Sequence, residues 1–229
     1  MDDAQAKGGR EAVLSRVRAH LGVRGDEPSR RGLVQSRLRN PKANIIPERA
    51  QRPRAELIKL FQTMLESCGA KVSRVRTLKA LPEAIATALR ENNLPSRVRA
   101  GSDPLFNDLR AAPGLIEIAS GRAEAEDAAG LSHAFAGAAE SGTLFLVSGP
   151  DNPSTLNFLP ETHLVVVLAN DIAGSYEEAW ARLRGVYGSG EMPRTVNLIS
   201  GPSRTADIEQ TIVMGAHGPK NLLVLIAGS

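Results

Sequence analysis

Three short polar stretches of this 229-residue chain gather residue types that can do chemistry. The first, Ala139 to Thr143, reads AESGT. Glu140 is a candidate acid, base or nucleophile, and Ser141, Gly142 and Thr143 offer substrate-binding hydroxyls and an approachable backbone beside it. The same residues also suit a hairpin or strand edge in which Glu140 faces water. The second stretch, Gly201 to Glu209, reads GPSRTADIE. Gly201 lets a ligand approach the backbone, and Ser203, Arg204 and Thr205 are consecutive donors suited to a carboxylate. Asp207 is a further candidate catalytic acid; it alternates with Glu209 about Ile208, so on a strand both would share a face. A turn followed by a helix capped at Thr205 or Asp207 fits the stretch as well. The third, Gly215 to Lys220, reads GAHGPK. His217 stands between glycines as a candidate proton shuttle or ligand, with Gly218 and Lys220 beside it, although a turn histidine is also a common structural device.

Several chemistries are excluded. There is no phosphate-binding GxxxxGK run, no G-x-S-x-G elbow and no G-x-G-x-x-G. The four histidines make no HExxH pair, so no metal site is expected. The single cysteine, Cys68, cannot hold an iron–sulfur cluster or form an internal disulfide, and reads as a buried filler.

The elements that must position these loops follow from periodicity. Residues 55–69 place Leu57, Leu60, Phe61, Met64 and Leu65 along one side of a helix that Gly69 stops. A strand at 71–75, a helix at 81–92 with Pro82 in its first turn, and a strand at 97–100 come next. Asp103 is placed to cap a short helix begun by Pro104, and a strand follows at 115–119. Strands at 142–148 and 163–169, a helix at 176–187, and strands at 194–199 and 222–227 complete the pattern. This alternation predicts an α/β domain over residues 55–229, a mostly parallel sheet flanked by helices. Ligands of such sheets gather beyond the carboxyl ends of the strands.

Residues 10–21 read as a short amphipathic helix, and residues 22–54, with four prolines and few apolar anchors, as an extended basic arm; together they make an N-terminal portion, 1–54. Residues 1–60 hold 14 Lys or Arg against 7 acids, and the remainder 14 against 18, so the net +3 conceals a basic leader on an acidic body. The leader has no aromatic residue for base stacking, and no nucleic-acid partner is expected. Ile45 and Ile46 in the leader leave homo-oligomerisation open. No apolar run approaches the ~20 residues of a membrane span, and no signal peptide is visible, so a cytoplasmic location is expected.

Taken together, AESGTLFLVSG at 139–149, HLVVVLA at 163–169 and SGPSRTADIEQTIVMGAHGPKNL at 200–222 resemble the LUD-domain family, also known as DUF162 or YkgG-like. The resemblance is carried best by residues 139–222. It implies a fold of the NagB/RpiA/CoA-transferase-like group and the cluster-free role in an L-lactate oxidation system, L-lactate to pyruvate. It also implies two partner proteins carrying the iron–sulfur clusters, no cofactor bound by this chain, and a small carboxylate as substrate. Two other readings stay open: an acyl- or CoA-transferase with Glu140 as nucleophile, and a non-catalytic assembly or regulatory subunit.

Overall fold

Pro28 marks where the second helix begins. α1 spans Asp3–Leu21 and α2 spans Pro28–Arg39, with Pro28 in the first turn, where its missing N–H is harmless. The segment expected to be an extended arm is therefore helical over twelve of its residues. The other three prolines of the leader stand at 41, 47 and 53, all beyond this helix, and the arginines between Pro28 and Asn40 are good helix formers. The computed structural model describes residues 3–111, 114–188, 190–205 and 213–228. The chain divides into two compact units, Met1–Ala43 and Asn44–Ser229. The second begins earlier than residue 55 because Ala50 is buried and Arg54 donates to the carbonyls of Ile172 and Ala169. Ile45 stays exposed.

The second unit runs α3 (Arg54–Ser67), β1 (Lys71–Val75), α4 (Leu81–Glu91), β2 (Arg97–Ala100), α5 (Asn107–Ala111) and β3 (Glu117–Ser120). It continues with β4 (Ala129–Ala134), β5 (Ala136–Ala138), β6 (Thr143–Val147), β7 (Thr162–Leu168), β8 (Ile172–Ala173) and α6 (Tyr176–Tyr187). β9 (Val196–Ile199), β10 (Arg204–Thr205), β11 (Val213–Met214) and β12 (Asn221–Ala227) close the order.

Six strands form one parallel sheet in the order β1-β12-β7-β4-β2-β3. β7 and β12 lie inside it, which explains why both read as almost unbroken Val, Leu and Ile: a strand covered on both faces has no polar side. One face packs against α4 and α5 through Ile85, Leu89, Leu109, Leu164 and Val166. The other face packs against α3 and a second sheet through Phe61, Leu65, Leu144, Val165 and Val224. That second sheet has the order β8-β5-β6-β9 and is mixed, and α6 covers its far side with Ala179 and Trp180 against Phe145. The strands at 142–148 and 194–199 thus belong to a separate layer rather than the main sheet. Among the described residues no helix is long and apolar enough to cross a membrane.

Candidate functional site

A cleft of about 240 Å³ opens where β9 ends and where β7 and β12 begin. It therefore lies at the amino-terminal edge of the parallel sheet, opposite to the edge at which such sheets usually bind ligands. Two loops wall it. Ser200 to Ser203 leave β9, and His217 to Pro219 enter β12. The loops are pinned to each other: the Ser203 N–H donates to the Pro219 carbonyl (2.8 Å), Gly215 N–H to the Ser203 carbonyl (2.9 Å), and His217 N–H to Ser203 Oγ (3.3 Å). Gly218 packs beside Ser203, where a Cβ would make only ordinary van der Waals contact. Gly201 is required by its neighbour rather than by a ligand. A Cβ there would stand 2.7 Å from the Cys68 carbonyl oxygen, so only glycine lets this loop settle on the end of α3.

The inner wall of the cleft holds two buried polar residues that periodicity alone did not single out, His163 and Asn157. His163 lies on β7 with the parity of Val165 and Val167, on the face toward the second sheet. Its Nε2 is 2.9 Å from Ser132 Oγ on β4, and Ser132 Oγ donates to Asn157 Oδ1 at 3.4 Å. Asn157 reaches this place because β4 has Gly130. A Cβ at Gly130 would meet the Leu156 carbonyl oxygen at 2.7 Å, so the 3-10 turn Ser154–Asn157 seats directly on the strand. Burial pushes the His163 imidazole down to about 3, so it is neutral at physiological pH. His163 Nδ1 and Asn157 Nδ2 are buried without a partner. The warning visible in sequence was a histidine at an inward position of an otherwise apolar strand.

The expected site residues divide among four places. Gly201, Ser203, His217 and Gly218 line the cleft. Glu140 does not. It sits in the β5–β6 hairpin, largely buried, and its Oε1 accepts from the Tyr176 N–H (2.7 Å) at the first residue of α6. A carboxylate at a helix N-terminus is favourably placed against the helix dipole, so Glu140 is an anchor for α6 and does not face water. Ser141 and Thr143 stand behind the cleft in a hydroxyl cluster: Thr143 Oγ1 lies 2.8 Å from Ser141 Oγ, 2.5 Å from Tyr176 Oη and 2.7 Å from Ser200 Oγ. Three partners use the one hydrogen and two lone pairs of Thr143, leaving it nothing for a ligand. Gly142 turns the hairpin with φ +64° against the backbone of α3. Arg204 and Lys220 border a neighbouring cleft with Cys68 and Lys71, and Lys220 also pairs with Glu161 at 3.0 Å. Thr205 pairs within the β10–β11 ribbon, while Asp207 and Glu209 lie outside the described residues. Cys68 is half-buried rather than a core filler, because it caps α3 at the surface beside that second cleft. Among the described residues no group of three or more His, Cys, Asp or Glu is gathered as a metal site would need.

An α/β fold with this cleft and these loops has recognisable relatives. Residues 120–227 match the family model described as LUD domain, a stretch that takes in all three polar segments and the residues lining the cleft. A DUF162 family protein from Deinococcus radiodurans, solved by crystallography, shares the fold with TM-score 0.57 and 22% identity; the match covers 77% of this chain and 99% of that one. More particularly, the chain is similar to lactate utilization protein C of Shouchella clausii, 36% identical over 81 residues, which is 35% of this chain and 35% of that protein. It is also similar to lactate utilization protein C of Geobacillus sp. strain WCH70, 36% identical over 89 residues, 38% of this chain and 37% of that protein. An uncharacterized protein of Neisseria meningitidis serogroup B is 43% identical over 99 residues, 42% of this chain and 41% of that one. The matched stretch spans about two fifths or less of each of these three relatives.

Proposed function

We propose that this chain is the cluster-free component of an L-lactate oxidation system, and that its cleft holds a small 2-hydroxy carboxylate. One observation carries this reading. The two loop segments that bear the resemblance to the LUD-domain family, SGPS and GAHGP, supply the two walls of the cleft that has buried, unpartnered polar groups on its inner side. Converting L-lactate to pyruvate removes two electrons and two protons from the hydroxyl-bearing carbon and its oxygen. The electrons pass to two partner proteins carrying iron–sulfur clusters, since one cysteine cannot ligate a cluster here. This chain's part is to bind and orient the acid. The Gly201 N–H and the ring of His217 are the groups at hand for a carboxylate at the cleft mouth, the Ser203 N–H being spent on Pro219.

The test is lactate oxidation with an artificial electron acceptor, using the two iron–sulfur partners with and without this chain. Turnover that requires the chain and falls with Ser203→Ala or His217→Ala is the expected result. A rate unchanged when the chain is omitted contradicts the proposal.

A further inference from the structure

The hydrogen-bond directions in the buried trio can be followed atom by atom. Asn157 Oδ1 can only accept, so the single hydrogen of Ser132 is spent on it. Ser132 Oγ can then only accept from His163, so Nε2 carries the ring proton and Nδ1 is a bare lone pair. The trio therefore ends in an unused acceptor, His163 Nδ1, and an unused donor group, Asn157 Nδ2, both buried, on residues that line the cleft. Buried polar groups in folded proteins are almost always satisfied, and each one left alone costs stability, so this pair calls for a partner.

We infer that His163 and Asn157 are the specificity pair of the cleft: Nδ1 accepts from the 2-hydroxyl of a 2-hydroxy carboxylate, and Nδ2 donates to its carboxylate. The inference rests on the proposed reading of this cleft and adds which groups read the ligand. It also sets a direction of selectivity. A 2-hydroxy acid offers a donor and an acceptor in adjacent positions. A 2-oxo acid offers acceptors only, and its carbonyl oxygen would oppose the Nδ1 lone pair. The site thus holds the reduced acid and releases the oxidised one. The neutral state that burial imposes on His163 agrees with this arrangement, because a protonated ring would donate from both nitrogens.

The experiment is an NMR titration of the full chain, with 15N-labelled histidine, against L-lactate and against pyruvate. L-lactate is expected to bind at least about tenfold more tightly than pyruvate, the worth of a hydrogen bond plus an avoided repulsion. The His163 resonances should show the Nε2–H tautomer and should shift on lactate addition. Neither reading needs a variant. His163→Gln keeps an amide near Ser132 while deleting the Nδ1 acceptor, and Asn157→Asp keeps Oδ1 while deleting the donor; each should weaken lactate binding about tenfold. Pyruvate binding as tight as lactate, an Nδ1–H tautomer, lactate affinity untouched in both variants, or His163 filled only by water each overturns the inference. Reconstituted turnover separates it from the reading beneath it. Turnover that needs the chain without lactate selectivity at His163 sinks the specificity pair alone. Lactate held at His163 while turnover ignores the chain sinks the proposed function alone.

Discussion

Two histidines on neighbouring strands, His133 on β4 and His163 on β7, show how the partner of an imidazole sets its task. They point to opposite faces of the same sheet: His133 shares parity with Leu131 on the α4–α5 side, and His163 shares parity with Val165 on the second-sheet side. Each has one ring nitrogen bonded and the other buried without a partner. His133 leans on a carboxylate, Asp103 Oδ2 at 3.0 Å, whereas His163 leans on the hydroxyl of Ser132. Burial pushes the Asp103 carboxyl up, but the hydrogen bonds from His133 and the Leu105 N–H, with the charges of His133 and Arg110, outweigh it and hold the group below its ordinary value. That pair is an electrostatic brace which also caps the turn at Pro104. The His163 trio contains no ion, so burial alone governs it. Similar depth in the fold thus gives a brace on one face and a neutral hydrogen-bonding surface on the other.

The largest expected effect separates the two by pH. Folded His163 resists protonation down to about 3, while in the unfolded chain it takes a proton below its ordinary 6.5. Its contribution to stability is therefore fully present above pH 6.5 and is lost as pH falls from 6.5 toward 3, by up to about 1.4 kcal/mol per pH unit. Urea unfolding at a series of pH values should show this slope, and His163→Gln should flatten it. Asp103 acts in a lower window. Its carboxylate stabilises the fold above its ordinary 3.8 and loses that contribution only as pH falls through its still lower folded value.

Asp103→Asn keeps a capping oxygen for Leu105 but removes the charged acceptor of His133. It should cost about 1.5–3 kcal/mol in thermal or urea unfolding, with lactate affinity unchanged; a matching loss of affinity would break the separation of the two faces. Gly201→Ala presses a methyl group onto the Cys68 carbonyl and should cost about 1–3 kcal/mol. Because it shifts the loop that walls the cleft, it should also weaken lactate binding, which calorimetry can follow. The smallest effect is expected of Arg204→Ala. Its side chain is exposed beside the neighbouring cleft, so stability should change by no more than about 0.5 kcal/mol and affinity in the His163 cleft should stay the same within error.

Much of the frame was legible because local rules act there without competition. Gly69 stops α3, Pro82 begins α4, Asp103 caps the turn at Pro104, and the runs at 162–168 and 221–227 are plainly buried strands. β4 of the main sheet and β5 of the second were hidden because they read AGLSHA and AGA, too small and too poor in β-branched residues to announce themselves. Their glycines make sense only from across the fold, where Gly130 receives the Leu156 carbonyl and Gly137 the Phe61 ring. Helix α2 was masked by prolines that bracket it rather than interrupt it. Of the candidate site, the two walls were legible as glycine-rich polar loops. The trio of Ser132, Asn157 and His163 was not, because Ser132 lies 25 and 31 residues from the other two and meets them only through the β4–β7 pairing and the 3-10 turn seated on β4. Strand parity, which places His163 with Val165 and Val167, was the available clue.

The central claim is that the cleft over His163, and not the brace at His133, is where a small hydroxy acid binds. The most direct measurement is the 15N spectrum of the labelled histidines as L-lactate is added. The account predicts that His163 shifts saturably, with His217 at the cleft mouth following and His133 still. Movement of His133 without His163, or no histidine responding at concentrations that support turnover, would contradict it.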